Sequence, residues 1–201
     1  GIALFYGMSG EGFDRLWEAH FLRNLGFPGS PTELNFLGVH IDVEPIFWFG
    51  AIRMGSTVLS LGAAELASRR LDLNSHAVVS RWLFLINLTQ MLSLFLIALA
   101  AGFWVGVLAF WVAVALSRVH DPLYLGWINQ NIRSDVRATV LSMSSQADSL
   151  GQIAGGPVVG LIGSMVSLRA ALAATATALL PALLLYMRAF SLGPQPGHSH
   201  D

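Results

Sequence analysis

The sequence predicts an all-α fold: a polytopic membrane helix bundle with six transmembrane helices. Three observations carry that expectation. The 201-residue chain is 54% hydrophobic and only 11% charged, too few charged side chains to cover a soluble domain of this size. Its mean hydropathy is +0.62, and several stretches approach the roughly 20 apolar residues that cross a bilayer. The arginines, finally, fall mostly at one set of span ends.

The first span covers residues 1–25 and holds the polar run GMSGEGFDRLWEAHFLR. A loop rich in Pro, Gly and Asn follows, FPGSPTELNFLGVHIDVEP. The second span covers 43–66, the third 81–99 and the fourth 103–120, with only Ala100, Ala101 and Gly102 between the last two. At about 1.5 Å per residue those two together are too long for one crossing, so a tight hairpin joins them. The fifth span covers 138–163 and the sixth 168–189. Residues 190–201, ending in GPQPGHSHD, read as a disordered cytoplasmic tail. Its His198 and His200 read as idle rather than as a metal site. The sequon Asn87-Leu88-Thr89 lies inside the third span and is expected to be unglycosylated.

Arginine placement sets the expected orientation. All eleven basic residues are arginine. With the chain start in the cytoplasm, Arg69, Arg70, Arg81, Arg118, Arg133, Arg137 and Arg188 lie inside, and only Arg23 and Arg169 lie outside. This obeys the positive-inside rule and the opposite orientation violates it. Arg15 and Arg53 are left within spans. The expected location is the inner (plasma) membrane, with the chain start and the C-terminus both cytoplasmic.

Composition also excludes. A net charge of −1 gives no global field for nucleic acid. The chain has no cysteine, so disulfides, thiolate metal sites and cysteine nucleophiles are absent from it. No nucleophile elbow, H-E-x-x-H or phosphate-binding loop occurs, so neither enzymatic activity, a cofactor nor a metal is expected. The start, GIALFYG, has no Met and no positive n-region, and reads as a cut inside a longer gene product rather than as a signal peptide.

The charges that remain are concentrated. On a helical wheel Glu11, Asp14, Arg15 and Glu18 fall within about 100° of one another, while His20 points the other way. Glu11 and Arg15 are spaced i,i+4, as are Asp14 and Glu18. A carboxylate unpaired at membrane depth costs several kcal/mol, so it faces a cavity, finds a partner or takes a proton. The alternative places this segment at the outer interface with its charges in water. Arg53 lies about 15 Å inside the second span, with Ser56, Thr57 and Ser60 on the same face. It is expected to pair with Asp14 or Glu11, or else to bond helix carbonyls. Asp148 lies about 15 Å inside the fifth span, with Ser144, Ser145, Ser149 and Gln152 on its side. The row Ser145, Ser149, Gln152, Gly156 and Gly160 reads as a close-packing stripe, and Pro157 as a hinge. SRVHDPLY, 117–124, reads as the cytoplasmic end of the fourth span, with Arg118, His120 and Asp121 forming either a snorkelling helix end or a gate.

The segment NQNIRSDVRATVLSMSSQADSLGQIAGGPVVGLIG resembles the major facilitator superfamily, whose members carry a short arginine-bearing cytoplasmic loop, here Arg133 to Thr139, ahead of a Gly-rich penultimate helix. SGEGFDRLWEAHFLR is similar to the seventh helix of exporter-like members. The exporter motif G-x-x-x-G-P-x-x-G-G is echoed in part: Gly156, Pro157 and Gly160 match, whereas Gln152 and Leu161 stand where glycines would. Only ELASRRL remains of the signature between the eighth and ninth helices. The resemblance implies the C-terminal six-helix half of a twelve-helix secondary carrier, whose N-terminal half is its missing partner. It implies a proton-coupled antiporter, a permease of the efflux type, that exports a small amphipathic or drug-like molecule.

The resulting expectations are specific. Glu11, Asp14, Arg15, Glu18, Arg53, Asp148 and Gln152 line the substrate and proton pathway. Arg118, Asp121, Arg133 and Arg137 form a cytoplasmic gate. Gly156, Pro157 and Gly160 serve packing or hinging. The partners are a small-molecule substrate, protons, the lipid bilayer and the missing half, with no nucleic acid. Competing expectations are uptake of a polar metabolite by proton symport, and a non-transporting scaffold or inactive fragment.

Overall fold

The computed structural model describes residues 1–28, 33–36, 39–42, 45–70 and 76–191. They form a helical bundle with one small β-hairpin. The helices are α1 (Ile2–His20), α2 (Pro45–Arg70), α3 (His76–Leu99), α4 (Phe103–Asn131), α5 (Arg137–Met165), α6 (Leu168–Thr177) and α7 (Leu180–Ser191). Four stretches are long and apolar enough to cross a membrane: Pro45–Arg69, Val78–Leu99, Phe103–Gln130, and Leu168–Ala189, which takes in α6 and α7. The helices that miss this criterion, α1 and α5, carry the polar faces that line the cleft described below.

Local chemistry explains the element ends. A π-helical turn, Phe21–Leu25, extends α1, and Gly26 stops it at φ 65°, in the left-handed region that glycine enters without steric penalty. The α3–α4 break is the short turn expected at 100–102, with the Ala100 N–H donating to the Ile97 carbonyl. The expected sixth span is broken at Ala178 and Leu179, immediately before Pro181 in the first turn of α7. Proline has no N–H to return to the carbonyl four residues back, so a helix restarts there readily.

Two elements differ from the sequence-based expectation. The loop after α1 contains antiparallel strands β1 (Glu33–Phe36) and β2 (Val39–Asp42), with Glu33 opposite Asp42 and Phe36 opposite Val39. The expected fourth span, 103–120, instead runs unbroken to Asn131 through Pro122. A proline inside a helix removes one backbone hydrogen bond, here that of the Arg118 carbonyl, but long packed helices accommodate it. The expected tail keeps residues 190 and 191 inside α7, and 192–201 lie outside the described residues.

Contacts fix the helix directions. Tyr6 meets Asn87 while His20 meets Ile97, so α1 and α3 run parallel. Tyr6 stacks on His120 while Phe21 meets Phe103, so α4 runs against α1. Methyl groups at Gly151 and Gly155 of α5 would meet Leu4 and Met8, so α5 runs with α1. Trp48 meets Phe103 while the Ile52 carbonyl accepts from Trp111, so α2 runs with α4, and α1 to α5 alternate in direction. Two apolar clusters form along the axis. One gathers Trp17, Phe21, Ile97, Phe110 and Leu172. The other gathers Ile2, Leu83, Ile86, Val119, Leu123 and Tyr186. Between them, on α1, α3 and α4, lies a polar layer.

Candidate functional site

That polar layer opens into two adjoining chambers of one cleft. The smaller, about 240 Å³, is lined by Tyr6, Ser9, Asp14, Arg53, Gln90 and Arg118 among others. The larger, about 530 Å³, is lined by Glu11, Asp14, Asp121, Tyr124, Ser144, Ser145, Asp148 and Gln152 among others. Tyr6, Gly10, Asp14 and Ser117 belong to both. Ionisable side chains from α1, α2, α4 and α5 thus reach one space.

The tight approach of α1 to α5 positions Asp148. A methyl group at Gly7 would overlap the Asp148 backbone carbonyl, and one at Gly151 would overlap that of Leu4. Only hydrogen fits at either place, so the backbones nearly touch. Asp148 then sits at the cleft edge, where Gln152 Nε2 donates to its Oδ2 at 2.8 Å. This contact corrects the expected packing stripe. Gly151 and Gly155 make the close approach, whereas Gly160 has nothing within 4 Å of where a side chain would begin. Gly156 is buried against the Arg15 side chain, and Pro157 is exposed.

The expected charged stripe is divided. Glu11 and Asp14 line the cleft. Arg15 bonds Glu11 through its Nε but is not part of the lining, and Glu18 is exposed away from it. Four residues span more than one helical turn, so the stripe reaches beyond the cleft mouth. The expected ion pair of Arg53 with Asp14 or Glu11 is corrected as well. Among the described residues Arg53 forms no ion pair. Its guanidinium carbon lies 4.7 Å from the Trp17 ring centroid and 5.9 Å from that of Phe110. The two rings lie together on one side of the guanidinium, and their cation–π attraction adds to its through-space attraction to Asp14, which lines the same chamber. Both expected alternatives assumed a polar partner, and neither considered a ring.

The expected cytoplasmic gate is likewise not a single group. Because α4 continues to Asn131, Arg118 and Asp121 lie at its middle and line the two chambers. Arg133, in the α4–α5 connection, and Arg137, the first residue of α5, are both exposed, and Arg133 pairs with Asp135 at 3.0 Å. Asp121 and Arg133 are separated by about 18 Å of chain at helical rise.

A buried polar network behind the chambers went unread in the sequence. Asn87 Nδ2 donates to the Tyr6 hydroxyl at 3.0 Å, which donates to Gln90 Oε1 at 3.3 Å. The Tyr6 ring stacks on His120 with centroids 3.8 Å apart. His120 is 2% exposed, not at an interface. Its Nδ1 lies 3.2 Å from Asp121 Oδ1, and its Nε2 lies 2.8 Å from the Tyr186 hydroxyl. With Asp121 ionised, Nδ1 carries the proton and Nε2 accepts from Tyr186. The available signal was Asn87 and Gln90, two amides one turn apart in a mostly apolar span. Asn87, the sequon residue, is fully buried. No group of three or more metal-ligating side chains occurs among the described residues.

A helical bundle with apolar membrane-length helices and a charged interior cleft defines the class: a membrane protein. No family model matches the chain, and no curated protein matches it.

Proposed function

We propose that the chain is the C-terminal six-helix half of a twelve-helix secondary carrier of the major facilitator type. It lies in the inner (plasma) membrane with both ends in the cytoplasm, and it exports a small amphipathic or drug-like molecule in exchange for protons. One observation carries the reading: charged side chains from α1, α2, α4 and α5 line a single cleft between apolar clusters. Charges at membrane depth are expensive and mark substrate and ion paths. The regular alternation of helix directions supports counting α1 and α5 as crossings, with their polar faces turned to the cleft and away from lipid.

With no phosphate-binding loop in the chain, active transport draws on an ion gradient or on another subunit; in the reading proposed here it is a proton gradient, and Asp14 and Asp148 are the groups that take up and release protons. The missing half closes the cleft from its open side, and rocking of the halves exposes it alternately to each face. A second reading, symport of a polar metabolite with protons, is favoured by the charged lining. A scaffold would gain nothing evident from these charges gathered along one cleft.

The test is proton flux in liposomes holding the full-length gene product, with a panel of compounds added against a pH gradient. The expected outcome is compound-dependent proton movement that falls at least about tenfold in Asp14→Asn and Asp148→Asn. Compound-independent flux, or flux unchanged in both variants, sinks the reading.

A further inference from the structure

The cleft sorts its charges by sign. Among the described residues, Arg53 and Arg118 line the smaller chamber with Asp14 as its one carboxylate, and Glu11, Asp14, Asp121 and Asp148 line the larger chamber with no arginine. Arg15, which pairs with Glu11, stands outside the lining. A ligand of one sign would match one chamber and leave the charges of the other unmatched. Once the missing half closes the cleft, that mismatch is a strong penalty.

The guanidiniums are set up to receive an anion. Trp17 and Phe110 lie on one side of the Arg53 group, their own ring centroids 4.6 Å apart, and among the described residues its N–H donors make no side-chain hydrogen bond. A carboxylate fits such donors with two parallel hydrogen bonds. Arg118, too, has no ion pair or side-chain hydrogen bond among the described residues. The chambers meet at Tyr6, Gly10, Asp14 and Ser117. Arg118 and Asp121 stand one turn apart on α4, about 5–6 Å between Cβ atoms. A molecule with its opposite charges a few bonds apart therefore reaches both chambers. The apolar wall of the smaller chamber, Phe13 and Leu94, accepts an alkyl or aromatic body.

We propose that this cleft binds a small zwitterion, its carboxylate on Arg53 and Arg118 and its protonated amine against Asp121 and Asp148. The inference rests on the carrier reading for its role as cargo, and it names that cargo's class.

The test uses the full-length protein in lipid nanodiscs. Binding of 6-aminohexanoate, hexanoate and hexylamine is compared by calorimetry. The zwitterion is expected to bind at least tenfold more tightly than either single-charge analogue. Arg118→Gln is expected to reduce its advantage over hexylamine to under threefold, and Asp148→Asn its advantage over hexanoate. Hexylamine or hexanoate binding as tightly as 6-aminohexanoate in the wild type overturns the proposal, as does absence of binding by 6-aminohexanoate. That wild-type ranking decides even if a variant does not fold. Should the zwitterion bind while no compound drives proton flux, the carrier reading fails and the binding site stands. Should other cargo move while the zwitterion does not bind, the reverse holds.

Discussion

Tyr6 ties the buried network to the cleft. Its hydroxyl accepts from Asn87 and donates to Gln90, and its ring covers His120. The Asn87 Oδ1 atom already has no partner among the described residues, so little polar satisfaction is in reserve. Removing the hydroxyl strands a buried amide donor, which costs about 1–3 kcal/mol. Tyr6→Phe should therefore lower the thermal unfolding midpoint of the full-length protein in detergent. An unchanged midpoint would show that water replaces the hydroxyl. The ring remains in this variant, so its stack on His120 is preserved and the loss reports on the hydrogen bonds alone.

Glycines give the sharpest contrast between elements. Gly7 lies on α1 where that helix touches α5, and an added methyl would collide with the backbone at Asp148. Backbone cannot swing aside as a side chain does, so Gly7→Ala should destabilise by about 1–3 kcal/mol. It should also widen the α1–α5 seam that holds Asp148 at the cleft. Gly62, inside α2, has nothing within 4 Å of the same virtual methyl. Gly62→Ala should be neutral or gain up to about 1 kcal/mol from helix propensity. Thermal unfolding of the pair checks this, and equal loss in both would refute the seam. Proline works at this scale too. Pro122 has no N–H to return to the Arg118 carbonyl, so α4 lacks one rung of its backbone ladder beside the two chambers.

For the whole molecule the open question is which side of the membrane each connection faces. The α4–α5 connection carries Arg133 and Arg137 and the α3–α4 turn carries no arginine, so the first is expected in the cytoplasm and the second outside. The chain has no native cysteine, so any cysteine placed in it is a unique label within these residues. In sealed right-side-out vesicles, Ala101→Cys should react with an impermeant maleimide, and Ser134→Cys should react only after lysis. Labelling of position 134 from outside would invert the topology and remove the arginine argument.

Sequence by itself determined what depends on local chemistry and chain order. Long apolar runs gave the helices, because a helix satisfies its backbone polar groups within a single segment, as lipid requires. The break at 100–102 and the density of charge in the first helix were legible for the same reason. The wheel placed Glu11 and Asp14 on one face, and both line the cleft. Tertiary structure alone decided which partner each charge meets. It set Arg53 over two aromatic rings rather than in direct contact with a carboxylate, carried α4 past Pro122 so that Arg118 and Asp121 became mid-helix residues, and buried His120 between Tyr6 and Tyr186. These depend on contacts between helices far apart in the chain, and spacing within one helix says which side chains share a face but not what that face will touch.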